Sequence, residues 1–384
     1  MTQFGNQLIE EISMFQKLPV SSSKLFVWVF IPYCIQGQEL ICEGYDNPAT
    51  HQELADVFAE LGLKWKWQPI TLENMPAVVE EVAASRNESI PIILNYCDGN
   101  EIDGYPGISV IKLLEAKGIN FTGADSNFFD ITSSKILMKR AFLESGVSTA
   151  PYEVISNLDD IEGICERLNT PLFIKPSDYY GGAGLSNKSV VHSDEEIRQH
   201  LQYLLQEQDC QFTLGNLFVE RFIDGREFTV LIVGSAQQPN QLKIYPPLEL
   251  IFHSSLSKFE KLKSHQILLE KSLDSFFTGE LVTSLLSEQI CNLAIRAYCA
   301  LGGNGYGRVD IRMDNESQEL FILEVNTNCG ISPQPISPLF EDGQTSVGSI
   351  LHQAGIPFAQ LISEIIVEAF ARNSTKSRYM IITI

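Results

Sequence analysis

Two carboxylates and an amide stand at alternate positions in the segments GRVDIRMD and LFILEVN, which together are typical of a two-stranded hairpin. Side chains alternate between the two faces of a strand, so Asp310 shares its face with Arg308 and Arg312. On the returning strand Glu324 and Asn326 share one face, and the register that keeps the apolar faces together places Asp310 across from Glu324. Mg²⁺ takes one or two carboxylates together with waters and phosphate oxygens. The pattern therefore predicts a magnesium site, with a solvated sheet face that carries a surface ion pair as the alternative.

A glycine-rich run follows Lys175, the last residue of the apolar segment PLFIK. Gly181, Gly182 and Gly184 allow backbone amides to approach an anion closely, while the lysine adds a positive charge. The run is not a P-loop, because GxxxxGK[ST] is absent and the next element resembles a strand rather than a helix. The run predicts an anion-binding loop, and an ordinary hairpin turn is the alternative.

Two glutamates flank the dipeptide Asp224-Gly225, which is a strong signal for a hairpin between the strands before and after it. Glu220 lies near the end of the first strand and Glu227 at the start of the second. Across such a hairpin the two carboxylates could meet the hydroxyls of a sugar. Exposed hairpin charges are the default interpretation of this pair.

The remaining polar residues give weaker signals. Lys135 and Lys139 lie four residues apart on a predicted helix and are compatible with ordinary surface lysines. The six histidines lack zinc-like spacing, and no GxSxG motif is present. The eight cysteines include no CxxC pair, which favours reduced thiols in a cytosolic protein.

Composition excludes several classes of protein. A chain of 384 residues with 44% hydrophobic content is long enough for two or three packed domains. The formal charge of −21 argues against a nucleic-acid or membrane-surface binder, because such proteins depend on basic patches. No apolar stretch is long enough to span a bilayer, and the start of the chain lacks a secretory signal pattern. These observations predict a cytoplasmic protein without nucleic-acid or membrane partners.

The elements that must position these residues begin with a small parallel α/β domain, predicted for residues 1–123. Strands alternate with helices there, and the first helix is predicted to start at the capping box Thr50-x-x-Glu53. The predicted elements are a strand at 24–31, a helix at 50–61, a strand at 91–95, a helix at 108–116 and a strand at 119–122.

Two further segments are predicted, a small central α+β domain at 124–213 and an antiparallel-sheet domain at 214–384. Residues 254–280 have little periodicity and predict a mobile loop. The glycine run at 302–307 predicts a helix stop and a turn, because a dinucleotide fingerprint would follow a strand instead of a helix. The other predicted elements are helices at 133–145, 159–168, 193–207, 288–301 and 358–370, and strands at 171–175, 189–192, 216–223, 226–234, 241–250, 308–313 and 319–326.

Taken in order, these features resemble the D-alanine–D-alanine ligase branch of the ATP-grasp superfamily across residues 90–372. Each stretch alone is modest, but the ordered set is highly specific. The resemblance implies an ATP-grasp architecture and a homodimer. The stretches that carry it are DGNEIDGYPG, TGADSNFFDITSSKILMK, the KPS…GGAG loop, FVERFIDGREFTV, GYGRVDIRMD, LEVNTNCGIS and QAGIPFAQLI.

The resemblance implies ATP as the nucleotide and assigns residues to its parts. Lys135 and Lys175 match the lysines that hold the phosphates, and Gly181, Gly182 and Gly184 match a loop that closes over the γ-phosphate, with Gly182 counted as catalytic. Glu220 and the backbone near Ile223 match positions at adenine. Glu227 matches the carboxylate at the ribose.

The metal and catalytic roles are likewise carried over by resemblance. Asp310, Glu324 and Asn326 match the ligands of two Mg²⁺ ions, with Mn²⁺ as an alternative ion. Arg308 matches the residue that stabilises charge on a tetrahedral intermediate.

The implied reaction joins a carboxylate to an amine at the expense of ATP. A carboxylate is a poor electrophile, so ATP converts it to an acyl phosphate, which an amine then attacks to give an amide, ADP and phosphate. Lys263 is implied as a further catalytic lysine at the phosphate, and Lys258 and Lys261 compete for that alignment. The partners are therefore a small-molecule carboxylate and a small-molecule amine.

The departures from the family pattern fall on the groups that hold D-alanine. The family's glycine-rich opening with an acidic residue is missing around 24–45, and Gly181, Ser264 and Pro335 stand where Ser, Tyr and Ser are expected. We therefore predict amino-acid-like substrates other than two D-alanines. The alternatives are a D-alanine–D-alanine ligase proper, an ATP-grasp kinase that stops at phosphorylation, and a non-catalytic ATP-binding regulatory module.

Overall fold

The computed structural model describes residues 18–42, 44–178, 189–206, 212–261, 277–283, 285–333 and 345–382. Its elements form three layers, each built on one main β-sheet. The arrangement confirms the predicted ATP-grasp type of fold, with a parallel sheet first and a large antiparallel sheet last.

The first layer is a four-stranded parallel sheet with the strand order β4-β1-β5-β6. The apolar run 25–32 forms its buried centre, because both faces of β1 are covered by helices and by the rest of the core. Its elements are β1 (Leu25–Pro32), the small hairpin β2 (Cys34–Gln36) and β3 (Glu39–Ile41), α1 (Pro48–Glu60), β4 (Lys64–Ile70), α2 (Met75–Ala84), β5 (Ile90–Asn95), α3 (Ile108–Ala116), β6 (Asn120–Phe121) and α4 (Ser126–Thr132).

Several elements of this layer escape the sequence prediction, strand β4 and helix α2 among them, and one helix begins earlier than expected. Strand β4 has the sequence KWKWQPI and lies at the edge of the sheet, so its lysines and tryptophans stay partly exposed and hide the strand pattern. Helix α2 follows it and was also missed. Helix α1 begins at Pro48 rather than at Thr50, because the side chain of Asn47 accepts a hydrogen bond from the Thr50 amide and caps the helix.

The second layer is a four-stranded sheet with the order β7-β10-β8-β9 and its own apolar cluster. Its central strand β8 carries the Lys175 segment predicted to bind an anion. Its elements are α5 (Lys135–Glu144), β7 (Tyr152–Ile155), α6 (Ile164–Leu168), β8 (Leu172–Pro176), β9 (Val190–Val191), α7 (Asp194–Gln206) and β10 (Leu217–Arg221).

The third layer is an antiparallel sheet with the order β14-β13-β11-β15-β16, with β12 paired to β11. The long strands β11 and β15 pair over eleven positions and carry Glu227, Arg308 and Asp310 of the predicted site. The elements are β11 (Gly225–Ser235), β12 (Lys243–Ile244), β13 (Leu248–Phe252), β14 (Phe277–Leu281), α8 (Leu285–Ala300), β15 (Asn304–Asp314), β16 (Leu320–Thr327), α9 (Ser346–Ala354) and α10 (Phe358–Ile382).

The hairpin predicted at Asp224-Gly225 is wrong. Strand β10 pairs with β7 and β8, whereas β11 pairs with β12, β13 and β15, so the chain crosses from one sheet to another at this dipeptide. Gly225 allows β11 to approach the backbone of β15 closely, since a Cβ there would lie 1.8 Å from the carbonyl oxygen of Met313. The division into segments 1–123, 124–213 and 214–384 stays a prediction, with β10 belonging to the central sheet.

Two further expectations are corrected in the third layer. Strand β14 begins at Phe277, within the segment 254–280 that was predicted to be a mobile loop, and residues 262–276 of that segment lie outside the described residues. Strand β15 begins at Asn304, so most of the glycine run 302–307 is strand and only its start is a turn. Gly305 has φ +101°, and a Cβ there would lie 2.0 Å from the carbonyl oxygen of Gly123. The glycine therefore allows the first and third layers to approach each other.

Helix α10 fastens the layers together. Arg372 is buried and its Nη1 donates to the carbonyl oxygen of Gly123 at 2.8 Å, while Nη2 donates to that of Phe121. Nearby, Asn328 accepts a hydrogen bond from the Ala124 amide at 2.8 Å. Within the described parts of the chain, no single helix is long and apolar enough to cross a membrane; the pair 346–354 and 358–372 reaches that composition only together, across a bend of 113°.

Candidate active site

The two predicted metal carboxylates lie opposite each other on β15 and β16. Asp310 and Glu324 are cross-strand partners, and the register shifts directly after Asp310. The Asn326 amide donates to Asp310 Oδ2 at 3.0 Å and to Glu324 Oε1 at 3.4 Å, and Thr229 Oγ1 donates to Asp310 Oδ1 at 2.7 Å. The pairing inferred from the sequence is therefore confirmed, and the alternative of a solvated sheet face is wrong, because Asp310 is buried.

Each of these carboxylates has a cation beside it. Arg308 grips Asp310 with two hydrogen bonds, from Nε at 3.0 Å and from Nη2 at 2.8 Å. Burial alone would lower the Arg308 pKa, but the charge of Asp310 outweighs it and raises that pKa. Lys135 Nζ lies 3.3 Å from Glu324 Oε2, and its charge overcomes the effect of burial and lowers the Glu324 pKa. Glu324 is thus held ionised, as a carboxylate metal ligand must be, and Asp310 has the Arg308 charge beside it.

The donor set at this position fits Mg²⁺ in the presence of phosphate. Within the described residues, no group of three or more His, Cys, Asp or Glu side chains is arranged to hold a metal ion by itself. Two carboxylates and one amide are the small hard-oxygen set that Mg²⁺ uses when waters and phosphate oxygens complete its shell. Asp310, Glu324 and Asn326 are therefore the residues that would hold the ion.

A second cluster, buried in the central sheet, joins Glu220 to two lysines. Glu220 Oε2 lies 2.6 Å from Lys139 Nζ, and Oε1 lies 2.5 Å from Lys175 Nζ. Burial would raise the Glu220 pKa, but the two lysine charges outweigh it and lower the pKa to about 2. Both oxygens of the residue predicted to face adenine are thus already engaged by cations.

Lys139 is a buried residue that the sequence analysis treated as an ordinary surface lysine. Its side chain is 2% exposed, and Nζ also donates to Thr149 Oγ1 at 2.9 Å and to the carbonyl oxygen of Ala150 at 3.3 Å. Burial lowers the Lys139 pKa, and Glu220 opposes that shift. The apolar neighbours Ile136 and Phe142, which share its helix face at three-residue spacing, are the signal that could have revealed its burial.

The start of helix α5 is fastened to the end of strand β8. The Lys135 amide donates to the Ser177 carbonyl oxygen at 3.0 Å, and the hydroxyls of Ser134 and Ser177 lie 2.7 Å apart. Ser134 caps the helix through the Leu137 amide. These contacts bring the two predicted phosphate lysines, Lys135 and Lys175, to the same edge of the central sheet.

The remaining nucleotide positions lie on β11 and just before it. Glu227 is buried, and its carboxylate forms an ion pair at 3.0 Å with Arg312, its cross-strand partner on β15. The Ile223 carbonyl oxygen accepts from the same arginine at 3.2 Å. Glu227, Thr229 and their partners therefore share the sheet face that carries Asp310.

Several predicted residues lie outside the described residues: Gly181, Gly182, Gly184, Lys263, Ser264 and Pro335. Of the competing lysines, Lys258 and Lys261 are described. Lys258 Nζ lies 4.9 Å from the centre of the Phe259 ring, and the Lys261 carbonyl oxygen accepts from Arg312.

The carboxyl ends of the parallel strands carry a different set of polar groups from the one the family pattern implies. After β1, the Tyr33 hydroxyl donates to Asp46 at 2.6 Å, and His51 stacks on Trp67 with ring centres 3.9 Å apart. After β5, partial burial raises the pKa of Asp98 to about 7. This edge is where ligands bind in open parallel sheets.

Comparison with known proteins agrees with this geometry. The family model described as "D-ala D-ala ligase C-terminus" matches residues 142–367. Curated relatives include the D-alanine–D-alanine ligases of Bordetella petrii, 25% identical over 69% of this chain and 72% of the relative, and of Geobacter sulfurreducens, 29% identical over 68% and 72%.

Solved structures show the same fold across almost the whole chain. A D-alanine–D-alanine ligase from Bacillus anthracis, solved in complex with ATP, aligns with a TM-score of 0.59 at 17% identity and covers 91% of this chain and 99% of its own. The ligase from Coxiella burnetii aligns with a TM-score of 0.61 at 16% identity and covers 93% and 98%. With its family model, its relatives and its fold in agreement, the chain belongs to the D-alanine–D-alanine ligase family of ATP-grasp enzymes.

Proposed function

We propose that the chain is an ATP-dependent ligase that activates a carboxylate as an acyl phosphate and joins it to an amine. The convergence of Asp310 and Glu324 beside Arg308 and Lys135 carries this proposal. Phosphoryl transfer needs positioning and neutralisation of charge more than a protein nucleophile, and this cluster supplies both.

Each group of residues would act at a different place where charge develops during the reaction. Lys135 and Lys175 would neutralise the phosphate oxygens, and Asp310, Glu324 and Asn326 would hold Mg²⁺, which supplies Lewis-acid stabilisation of the transferring phosphoryl group. The substrate carboxylate attacks the γ-phosphorus, and ADP leaves. The amine then attacks the acyl carbon, and phosphate leaves.

Arg308 would stabilise the second of these steps. Its guanidinium is fixed by two hydrogen bonds to Asp310, and it remains charged because that carboxylate raises its pKa. A fixed cation beside the acyl carbon stabilises the oxyanion that forms when the amine attacks.

We further propose that the substrates are amino-acid-like molecules other than two D-alanines. The carboxyl end of β1 leads into Tyr33 and Cys34 instead of a glycine-rich turn with an acid. The acidic group at the neighbouring strand end is Asp98, whose half-buried carboxyl would pair with a substrate ammonium group. D-Alanine–D-alanine ligase activity proper is the alternative, and a homodimer stays a prediction.

The test measures ADP and phosphate release in a screen of paired amino acids and small carboxylates with ATP and Mg²⁺. A ligase releases phosphate only when both a carboxylate and an amine are present, whereas a kinase would release ADP without free phosphate. Asp310→Asn and Glu324→Gln should each lower turnover by at least about a hundredfold, because each removes a charged ligand at the transferring phosphate. Glu319→Gln, at the exposed end of the same hairpin, serves as the matched control.

Three outcomes would contradict parts of the proposal. Full turnover in Asp310→Asn would remove the metal assignment. Efficient formation of D-alanyl-D-alanine by the wild-type protein would refute the substrate restriction and leave the ligase chemistry intact. ATP binding without ADP release in the whole screen would favour the non-catalytic alternative.

A further inference from the structure

Arg312 is a buried cation that the proposed chemistry does not use. It lies on β15, two residues beyond Asp310, and is 3% exposed. Buried arginines are rare unless they are paired, so its three contacts indicate what it does. One contact is the ion pair with Glu227, and the other two are with backbone carbonyl oxygens.

The carbonyl contacts tie together two stretches of chain that are distant in the sequence. Nη1 donates to the Ile223 oxygen at 3.2 Å, in the crossing between β10 and β11. Nη2 donates to Glu227 Oε2 at 3.0 Å and also to the Lys261 oxygen, in the segment after β13. A guanidinium spreads its donors over a rigid planar fork, whereas the three donors of an ammonium group leave from a single nitrogen.

Part of the Arg312 guanidinium makes no hydrogen bond, and aromatic side chains lie beside it. The Arg312 Nε has no hydrogen-bond partner although it is buried. The carbon centre of the guanidinium lies 5.7 Å from the centre of the Phe222 ring, and that ring packs against Phe259 at 5.3 Å. An apolar rim of this kind excludes water, and electrostatic interactions are stronger where water is excluded.

The strand register places Glu227 and Arg312 at the distance from Asp310 that a bound nucleotide would require. Glu227 and Arg312 are cross-strand partners, as are Thr229 and Asp310, so the two pairs are successive on one face. Two residues along a strand span about 7 Å. That separation suits a ribose at Glu227 when the phosphates and the ion are at Asp310.

We propose that Arg312 is the positioning residue of the nucleotide site, which orients the Glu227 carboxylate towards the ribose hydroxyls and holds the Ile223 backbone beside the base. This inference rests on the proposed ATP site. Arg312 takes one carboxylate oxygen of Glu227 and so fixes the direction of the other. It acts on the nucleotide through Glu227 and Ile223.

The experiment compares the binding of ATP, 2′-deoxy-ATP and 3′-deoxy-ATP by calorimetry, with Mg²⁺ and the 384-residue chain. The wild-type protein should prefer ATP over at least one deoxy analogue by roughly ten- to hundredfold, the range expected for a hydrogen bond to a charged group. In Arg312→Met and Arg312→Lys that preference should fall to about threefold or less, because the carboxylate is no longer oriented.

If Arg312 had only a structural role, its loss would weaken the binding of all three nucleotides equally. The ratio of the dissociation constants of the deoxy analogues to that of ATP therefore isolates the positioning role. Arg312→Lys keeps the positive charge and protects the test against misfolding of the methionine variant. Glu227→Gln should lose the same discrimination, and Arg312→Lys combined with Glu227→Gln should lose no more than either change alone. Arg226→Met on β11, which breaks the partly exposed pair with Glu249 of β13, is the control that should retain the wild-type ratio.

The failure of this inference differs from the failure of the proposed function. A wild-type preference that survives unchanged in both Arg312 variants would overturn the positioning role while the nucleotide site stands. A wild-type protein that binds none of the three nucleotides would overturn both.

Discussion

Glu220 shows how strongly two neighbouring lysines can determine the pKa of one buried carboxylate. Its pKa of about 2 lies below the ordinary value of 4.5, although burial acts in the opposite direction. A depressed folded-state pKa contributes stability that is present above pH 4.5 and is lost as the pH falls towards 2. Of the two lysines, Lys139 lowers the Glu220 pKa more, and its side chain is almost completely buried. It is therefore the residue to change.

We expect Lys139→Met to lower the free energy of unfolding by about 3 kcal/mol at pH 7, because it leaves Glu220 with only one of its two cations. The difference from the wild-type protein should shrink as the pH falls below about 4, where the unfolded carboxylate becomes protonated. Urea unfolding at pH 7 and pH 3.5 measures both values.

The exposed ion pair of Lys112 with Asp130 provides the control for that experiment. Lys112→Met should cost less than about 1 kcal/mol at either pH, since water screens the pair. Equal losses in the two lysine variants would show that the buried cluster has no special role in stability.

At the scale of elements, the contact between Gly305 on β15 and Gly123 after β6 sets how closely the first and third layers can approach. The Gly305 backbone has φ +101°, and any side chain there would collide with a carbonyl oxygen. Gly302 provides a comparison, because its φ of +66° is also positive but its Cβ direction is open.

Gly305→Ala should therefore lower the free energy of unfolding by about 3 kcal/mol or more, since backbone strain and a steric clash act together. Gly302→Ala should cost only about 1 kcal/mol, from the backbone strain alone. Chemical denaturation of both variants separates the two contributions, and similar losses would show that the layers do not depend on this contact.

Elements with a regular period were predictable from the sequence, and contacts between distant elements were not. The two-residue period of β15 and β16 fixed which side chains share a face, so the pairing of Asp310 with Glu324 could be inferred before any fold was known. The Asp224-Gly225 signal failed because a tight turn and a crossing between two sheets use the same local chemistry.

Residues whose role depends on burial were equally hard to recognise. The local signal for the burial of Lys139 is weak, since it consists of two apolar neighbours on its helix. Arg312 is held by contacts with Ile223, Glu227 and Lys261, all far away in the sequence. Strand β4 was missed because it lies at the edge of the sheet, where a strand can keep polar residues on both faces.

At the scale of the whole molecule, the proposed nucleotide site draws on two sheets. Lys175 and Glu220 belong to the central sheet, and Glu227 and Asp310 belong to the third sheet. A ligand that contacts both should resist their separation and stabilise the folded state by mass action.

We expect ATP with Mg²⁺ at a hundred times the dissociation constant to stabilise the protein by about 2.7 kcal/mol, seen as a rise of the melting temperature. Mg²⁺ alone should give a much smaller rise, because two carboxylates and an amide are an incomplete set of ligands for it. Differential scanning fluorimetry of the wild-type protein and of Glu324→Gln tests this, and an equal rise in both would contradict the role of Glu324.

The ion pairs of Lys135 with Glu324 and of Arg308 with Asp310 mean that the protein carries its own counter-ions at the place where a polyanion and a divalent cation would meet. Binding of a metal–nucleotide complex would exchange these partners: Lys135 would pair with a phosphate oxygen instead of Glu324, and the metal would compensate the charge of the carboxylates. Because charge is compensated before and after the exchange, neither step has to leave a bare ion in a poorly hydrated cleft. We therefore expect the metal and the nucleotide to bind as one complex.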